Sequence, residues 1–180
     1  MTVQIPDPTP TRALLHSVVE VARAIFGAAA SSVFLLDEPA GELVFEAVAG
    51  AGSDFLVGTR FPADRGIAGW VAGSGQAMIA DDLADNPTFA RDLAESTRYV
   101  PDALMAAPLV SAGQVLGVLE VIDPTEQSRS SLGDLELLAL FANQAAIALQ
   151  VARPCPQCHG TTDESHLVDA FKDFLRHRAG

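Results

Sequence analysis

Cysteine is nearly missing from this chain: of 180 residues only Cys155 and Cys158 carry a thiol, both near the C-terminal end. Residues 1–154 therefore hold neither a disulfide staple nor a reactive thiolate, and a fold there must rest on an apolar core. Basic residues are scarce too. Eleven Lys and Arg stand against 23 Asp and Glu, a formal charge of −12. A nucleic-acid partner, which requires a clustered basic face, is excluded on that balance. Histidine does not occur between His16 and His159. The opening MTVQIPDPTP has no basic segment followed by an apolar one, and no run reaches the roughly 20 apolar residues that span a bilayer. The expectation is a cytoplasmic protein without a membrane partner.

What is present is apolar residue, 49% of the chain, enough for one domain with a real core plus a small appendage. The organising stretch is 104–122, LMAAPLVSAGQVLGVLEVI, two apolar runs around a turn at Ala112 and Gly113, which reads as a β-hairpin. In its second run Val115, Leu119 and Val121 point one way, and Leu116, Val118 and Ile122 the other, so both faces of the sheet need covering. Gly117 predicts something packed close to the strand, and Pro108 a bulge or an edge position. Glu120 is the anomaly: a carboxylate on the Leu116, Val118, Ile122 face, either hydrogen-bonded internally or looking into a pocket.

Around this hairpin the chain alternates helix and strand. Residues 1–10, rich in Pro and Thr, read as a flexible leader. A helix from about Pro10 or Thr11 carries the stripe Leu14, Val18, Val21, Ala22 and Ile25, and ends at Gly27. Strands at 32–37 and 43–48 flank the turn residues Glu38-Pro39-Ala40-Gly41. A short helix over 65–72 is capped by Asp64 and stopped at Gly73; its glycines lack the Lys-Ser or Lys-Thr of a phosphate loop. A strand at 77–80 leads into an acidic turn without calcium-loop spacing, and Asn86 caps a helix over 87–95 that turns Phe89 and Leu93 inward. After an irregular loop over 123–133, the longest helix, 134–152, carries Leu135, Leu138, Ala142, Ala145 and Leu149, widened by Leu137, Phe141 and Ile147. That is more apolar surface than one sheet face needs. It predicts a homodimer through the terminal helices, with burial of a wide stripe inside the monomer as the alternative. The fold class is α+β: a five- or six-stranded antiparallel sheet flanked by helices.

Four segments in this order, RGIAGWVAGSGQAMIADD at 65–82, NPTFARD at 86–92, APLVSAGQVLGVLEVID at 107–123 and DLELLALFANQAAIAL at 134–149, resemble the GAF domain family over residues 11–152. The resemblance implies an antiparallel sheet, with helices from both ends of the domain on one face and a small-molecule pocket under loops and short helices on the other. It does not imply one chemistry. Cyclic-nucleotide-binding members are similar in carrying an Asn-Lys pair after the last strand, then Phe and Asp-Glu; here those positions read Asp123-Pro124, Leu132 and Asp134-Leu135. Members that reduce free methionine sulfoxide need pocket cysteines, as do those that attach a bilin, and haem-binding members need a pocket histidine. Between His16 and Cys155 there is neither.

The resemblance therefore leaves a noncovalent site with Phe61, Ile67, Trp70, Val71, Ile79, Phe89 and Met105 as walls and Arg65, Asp81 and Glu120 as polar contacts. The expected function is non-catalytic sensing of an unidentified small molecule, with the signal passed in trans to a partner protein. A dimerisation scaffold with a vestigial pocket is the runner-up, and a free methionine sulfoxide reductase stands third.

Residues 153–180 lie outside the resemblance. Cys155-Pro-Gln-Cys158-His159 has the haem c attachment pattern, which belongs to exported chains. Zinc held by Cys155, Cys158 and either His159 or His166 is the alternative, beside a plain reduced pair. Thr161 and Glu164 form a capping box before a short amphipathic helix with Leu167, Val168, Phe171, Phe174 and Leu175, which needs the domain, its mate or a protein partner to dock on.

Overall fold

The computed structural model describes residues 10–51 and 55–152. The leader at 1–9, the cysteine pair with His159 and His166, and the C-terminal amphipathic helix lie outside the described residues.

The first helix, α1 (Pro10–Ile25), buries Leu15, Val18, Val19 and Ala22, so its inward face is rotated from the expected stripe and Val21 and Ile25 are exposed. It feeds a hairpin of β1 (Ala30–Asp37) and β2 (Glu42–Gly50). A three-residue β3 (Arg60–Pro62) follows, then α2 (Gly66–Ser74), β4 (Met78–Ala80) and α3 (Arg91–Ser96). The central hairpin is β5 (Leu104–Ser111) with β6 (Gln114–Ile122), and the chain closes with α4 (Glu126–Arg129) and α5 (Leu132–Ala152). The strands form one six-stranded sheet in the order β3-β2-β1-β6-β5-β4. Every neighbouring pair is antiparallel, as the hairpin patterns imply.

Alternation divides the sheet into two covered faces. Val33, Met105, Ala107, Leu109, Leu119 and Val121 face α1 and α5, meeting Leu15, Val19, Leu138, Ala142 and Leu149 in one core. Phe34, Leu104, Ala106 and Val118 face the other way, onto Ile67, Ala68 and Val71 of α2 and Leu83. By length and apolar composition α5 would suffice to cross a bilayer. Here its Leu138–Leu149 stripe packs on the sheet, and Leu137, Leu140, Ile147 and Val151 stay exposed.

Several local expectations need correction. The helix after β3 takes Arg65 as its N-cap without a side-chain bond, so Asp64 does not cap it; it runs past Gly73 to Gly75, whose left-handed φ of 67° ends it. Asn86 caps only a turn, its Oδ1 accepting the Thr88 N–H at 2.9 Å, and helix begins again at Arg91. The 123–133 connection is not wholly irregular. Thr125 Oγ1 accepts the Ser128 N–H and starts α4, and Ser131 Oγ accepts the Asp134 N–H and starts α5 two residues early. Gly117 is crowded, as expected, but by a neighbouring strand: a Cβ there would collide with the Phe34 carbonyl of β1. Pro108 pairs with Val118 on one side, while β4 reaches only to Ala106, so β5 is an edge strand at the proline.

Candidate functional site

On the face away from α1 and α5, the sheet does not close fully against its cover. A cavity of about 150 Å³ opens between β1, β2, β3 and β6 on one side and α2 and the α3 segment on the other. Its aromatic wall comes from three strands. Phe34 and Phe45 are paired across β1 and β2, with ring centroids 4.4 Å apart, and Phe61 of β3 stands edge-on to Phe34 at 5.3 Å. Ile67 and Ala68 of α2, with Phe89 and Leu93 beside α3, form the opposite wall.

Glu120 lies in this apolar chamber. On β6 it is registered against Ser32 of β1 and Ala106 of β5, and it is only 7% exposed. Its carboxylate has no hydrogen-bond partner among the described residues. No fully occluded side-chain oxygen among them lacks a partner, and Glu120 is one of the residues that line the cavity. Burial pushes its pKa from the ordinary carboxyl range up to about 8.

Two guanidiniums stand at the rim, and both are engaged. Arg60 Nη1 donates to Asp37 Oδ2 at 2.8 Å and to Glu42 Oε2 at 3.0 Å. The Arg60 hydrogen bond in turn holds Asp37 below the usual carboxylate range. Arg65 Nη2 donates to both oxygens of Asp92, at 2.9 and 3.1 Å, tying the start of α2 to α3. The cover is fastened at its other end by Asp123. One oxygen accepts the Tyr99 hydroxyl at 2.5 Å, and the other accepts the backbone N–H groups of Asp102 and Ala103.

Of the ten residues expected around a pocket, the structure brings together Phe61, Arg65, Ile67, Phe89 and Glu120. Five lie elsewhere. Met105 and Ile79 are cross-strand partners that point to the α1/α5 face, because one step along a strand reverses the side. Val71 is fully buried between α2 and the sheet, and Trp70, off the inward stripe of α2, is 41% exposed. Asp81 faces Arg129 of α4 at 3.7 Å. Sequence reasoning missed Ser32, Phe34, Phe45, Thr59, Leu93 and Tyr99, all of which line the cavity. The alternation of 32–37 and 43–48 was the available signal for the two phenylalanines. Among the described residues no group of three or more His, Cys, Asp or Glu is arranged to hold a metal ion.

A six-stranded antiparallel sheet with terminal helices on one face and a covered cavity on the other defines an α+β layer architecture rather than a chemistry. The chain belongs to the GAF domain family, whose sequence profile matches residues 10–149. It is related in sequence to the cone cGMP-specific 3',5'-cyclic phosphodiesterase subunit alpha' of Mus musculus, 32% identical over 91 residues. That match takes in 51% of this chain but only 11% of the relative. In fold it is similar to the GAF domain of a phosphoenolpyruvate-protein phosphotransferase from Coxiella burnetii, with a TM-score of 0.72 and 21% identity over 82% of this chain and 86% of that one. It is also similar to the free methionine-R-sulfoxide reductase of Neisseria meningitidis, whose structure was solved with its substrate, with a TM-score of 0.62 and 24% identity over 81% and 83% of the two chains.

Proposed function

We infer that this GAF domain is a non-catalytic small-molecule sensor that works through a homodimer of its terminal helices and regulates a partner protein. The observation that carries the reading is the cavity itself, a chamber on the sheet face opposite α1 and α5 that contains a buried carboxyl group without a partner among the described residues. Buried polar groups are ordinarily satisfied, and one that opens into a void is served by a guest. A guest would tie the α3 segment to the sheet. It would bias the terminal helices only by its different affinity for the two arrangements. The α5 stripe of Leu137, Leu140, Ile147 and Val151, 46 to 82% exposed and repeating at helical spacing, supports the second copy. Catalysis of the sulfoxide-reductase kind needs a thiolate, and residues 1–154 contain no cysteine.

The test is thermal-shift screening against a panel of metabolites, followed by hydrogen exchange with any hit. Stabilisation together with slowed exchange in α3 and altered exchange in α1 and α5 is expected. A panel in which nothing stabilises the protein overturns the sensing reading.

A further inference from the structure

The charge arrangement of the cavity narrows the class of guest, and the following rests on the sensing reading above. The cavity's ionisable side chains among the described residues are Arg60, Arg65, Tyr99 and Glu120. The two arginines that could receive an anion are already bound, Arg60 by Asp37 and Glu42 and Arg65 by both oxygens of Asp92. An anionic guest would have to share arginines whose charge these carboxylates already offset, and would sit in a chamber with a carboxyl group. Tyr99 spends its hydroxyl hydrogen on Asp123. Of the four, Glu120 alone is buried and makes no side-chain hydrogen bond among the described residues, with two oxygens that accept from N–H donors and are 93% removed from solvent with their residue.

We propose that the cavity takes a compact organic cation, an amidinium, guanidinium or protonated amine on a ring-sized apolar body, with its N–H groups on Glu120 and its body against Phe34, Phe45 and Phe61. The size agrees. A chamber near 150 Å³ accepts a benzene-sized guest, and these three rings, with centroids 4.4 to 5.8 Å apart, offer π faces that attract a desolvated cation. A cation also answers the cost that burial imposes on the carboxylate: paired and hydrogen-bonded, the charge no longer has to be neutralised by a proton. Burial has pushed Glu120 up to about 8 for want of such a partner, so binding a cation near neutral pH releases a proton.

Three planar probes of one shape, benzamidinium, benzamide and benzoate, carry positive, zero and negative charge and separate the possibilities by calorimetric titration. Benzamidinium is expected to bind about ten-fold or more tightly than either of the others. Its affinity is expected to rise from about pH 6 to about pH 9, the range that brackets the Glu120 value. Arg60 and Arg65 stay charged throughout that range, Tyr99 is pushed up to about 12, and β1, β5, α2 and α3 present no other titrating side chain to the cavity. Glu120→Gln is expected to abolish the preference, so that benzamidinium and benzamide bind alike; should that variant not fold, the pH profile of the native chain decides. Equal or tighter binding of benzamide or benzoate to the native protein overturns the cation assignment and leaves the sensing reading standing. No binding by any of the three overturns the assignment as well, while the metabolite panel judges the sensing reading separately.

Discussion

Tyr99 and Asp123 meet at 2.5 Å where the chain leaves β6, and the same carboxylate holds the Asp102 and Ala103 N–H groups that lead into β5. One side chain thus fastens the segment that covers the cavity to the end of the strand that carries Glu120. Asp123 adopts φ 46° to do so. Tyr99→Phe removes one of these bonds and is expected to cost about 1–2 kcal/mol in urea unfolding, with Asp123→Ala costing more because three donors lose their acceptor. The hydrogen bond to Asp123 raises the Tyr99 pKa from 10.0 to about 12. A group whose value is raised on folding contributes fully below its unfolded value, so this contribution is intact below about pH 10 and lost as the pH climbs through 12. Base titration of stability should show that loss in the native chain and not in Tyr99→Phe.

Glu120 makes a second pH signature, in a lower window. Its folded value near 8 lies above the ordinary 4.5, so between those values the folded chain keeps a proton that the unfolded chain has released. Stability therefore falls as pH rises from about 4.5 to about 8, by on the order of 1 kcal/mol per pH unit at most. Glu120→Gln should flatten this slope and gain on the native chain as pH rises. Parallel stability curves for the two proteins would mean that the carboxyl is solvated after all.

Leu138 and Leu140 are neighbours on α5 with opposite fates, the first fully buried and the second 63% exposed. Leu138→Ala should cost about 2–5 kcal/mol in thermal or urea unfolding by leaving a hole against the sheet. Leu140→Glu should leave the monomer's stability within about 0.5 kcal/mol and instead shift sedimentation from dimer to monomer, with Ile147→Glu acting alike. A native protein that sediments as a monomer at all concentrations contradicts the dimer.

Two glycines test the backbone argument with opposite signs. Gly117→Ala drives a methyl into the Phe34 carbonyl of the adjacent strand and should destabilise by about 2 kcal/mol or more, since backbone cannot move aside cheaply. Gly73→Ala meets nothing within 4 Å and has helical φ, so it should stabilise α2 by up to about 1 kcal/mol. Chemical unfolding of both variants checks the pair.

Much of this layout was legible in the residues. The alternation of 114–122 put Glu120 on the Val118 and Ile122 face, where it lies, but Leu116, expected there too, packs on the α1/α5 side because the pairing with β5 slips a residue between Leu109 and Val110. The 3.6-residue stripe of α5 marked the face it buries, whereas of the α1 stripe Val18 and Ala22 are buried and Val21 and Ile25 turn outward. Met105 went to the wrong side for a definite reason. Which parity of β5 shares a face with Glu120 follows from the register Ala106 to Glu120, and register is a property of the pairing rather than of either strand. The same holds for Phe34, where β1 slips register against β2 between Val33 and Phe34. At three residues β3 is too short to show any period, so Arg60 was not recognised at the rim.

From the amino acids alone came the composition of each face, the helical stripes, the absence of thiols from residues 1–154 and the likeness to GAF domains, because these are encoded in local spacing and residue chemistry. Only the tertiary structure decided that the sheet cover stops short of closing, that Glu120 lines the gap without a partner among the described residues, and that Arg60 and Arg65 are paired with carboxylates. Those ion pairs join residues 18 to 27 positions apart. Such distances close only when sheet register and the path of the covering segment have been settled by packing the whole chain, which no local pattern contains.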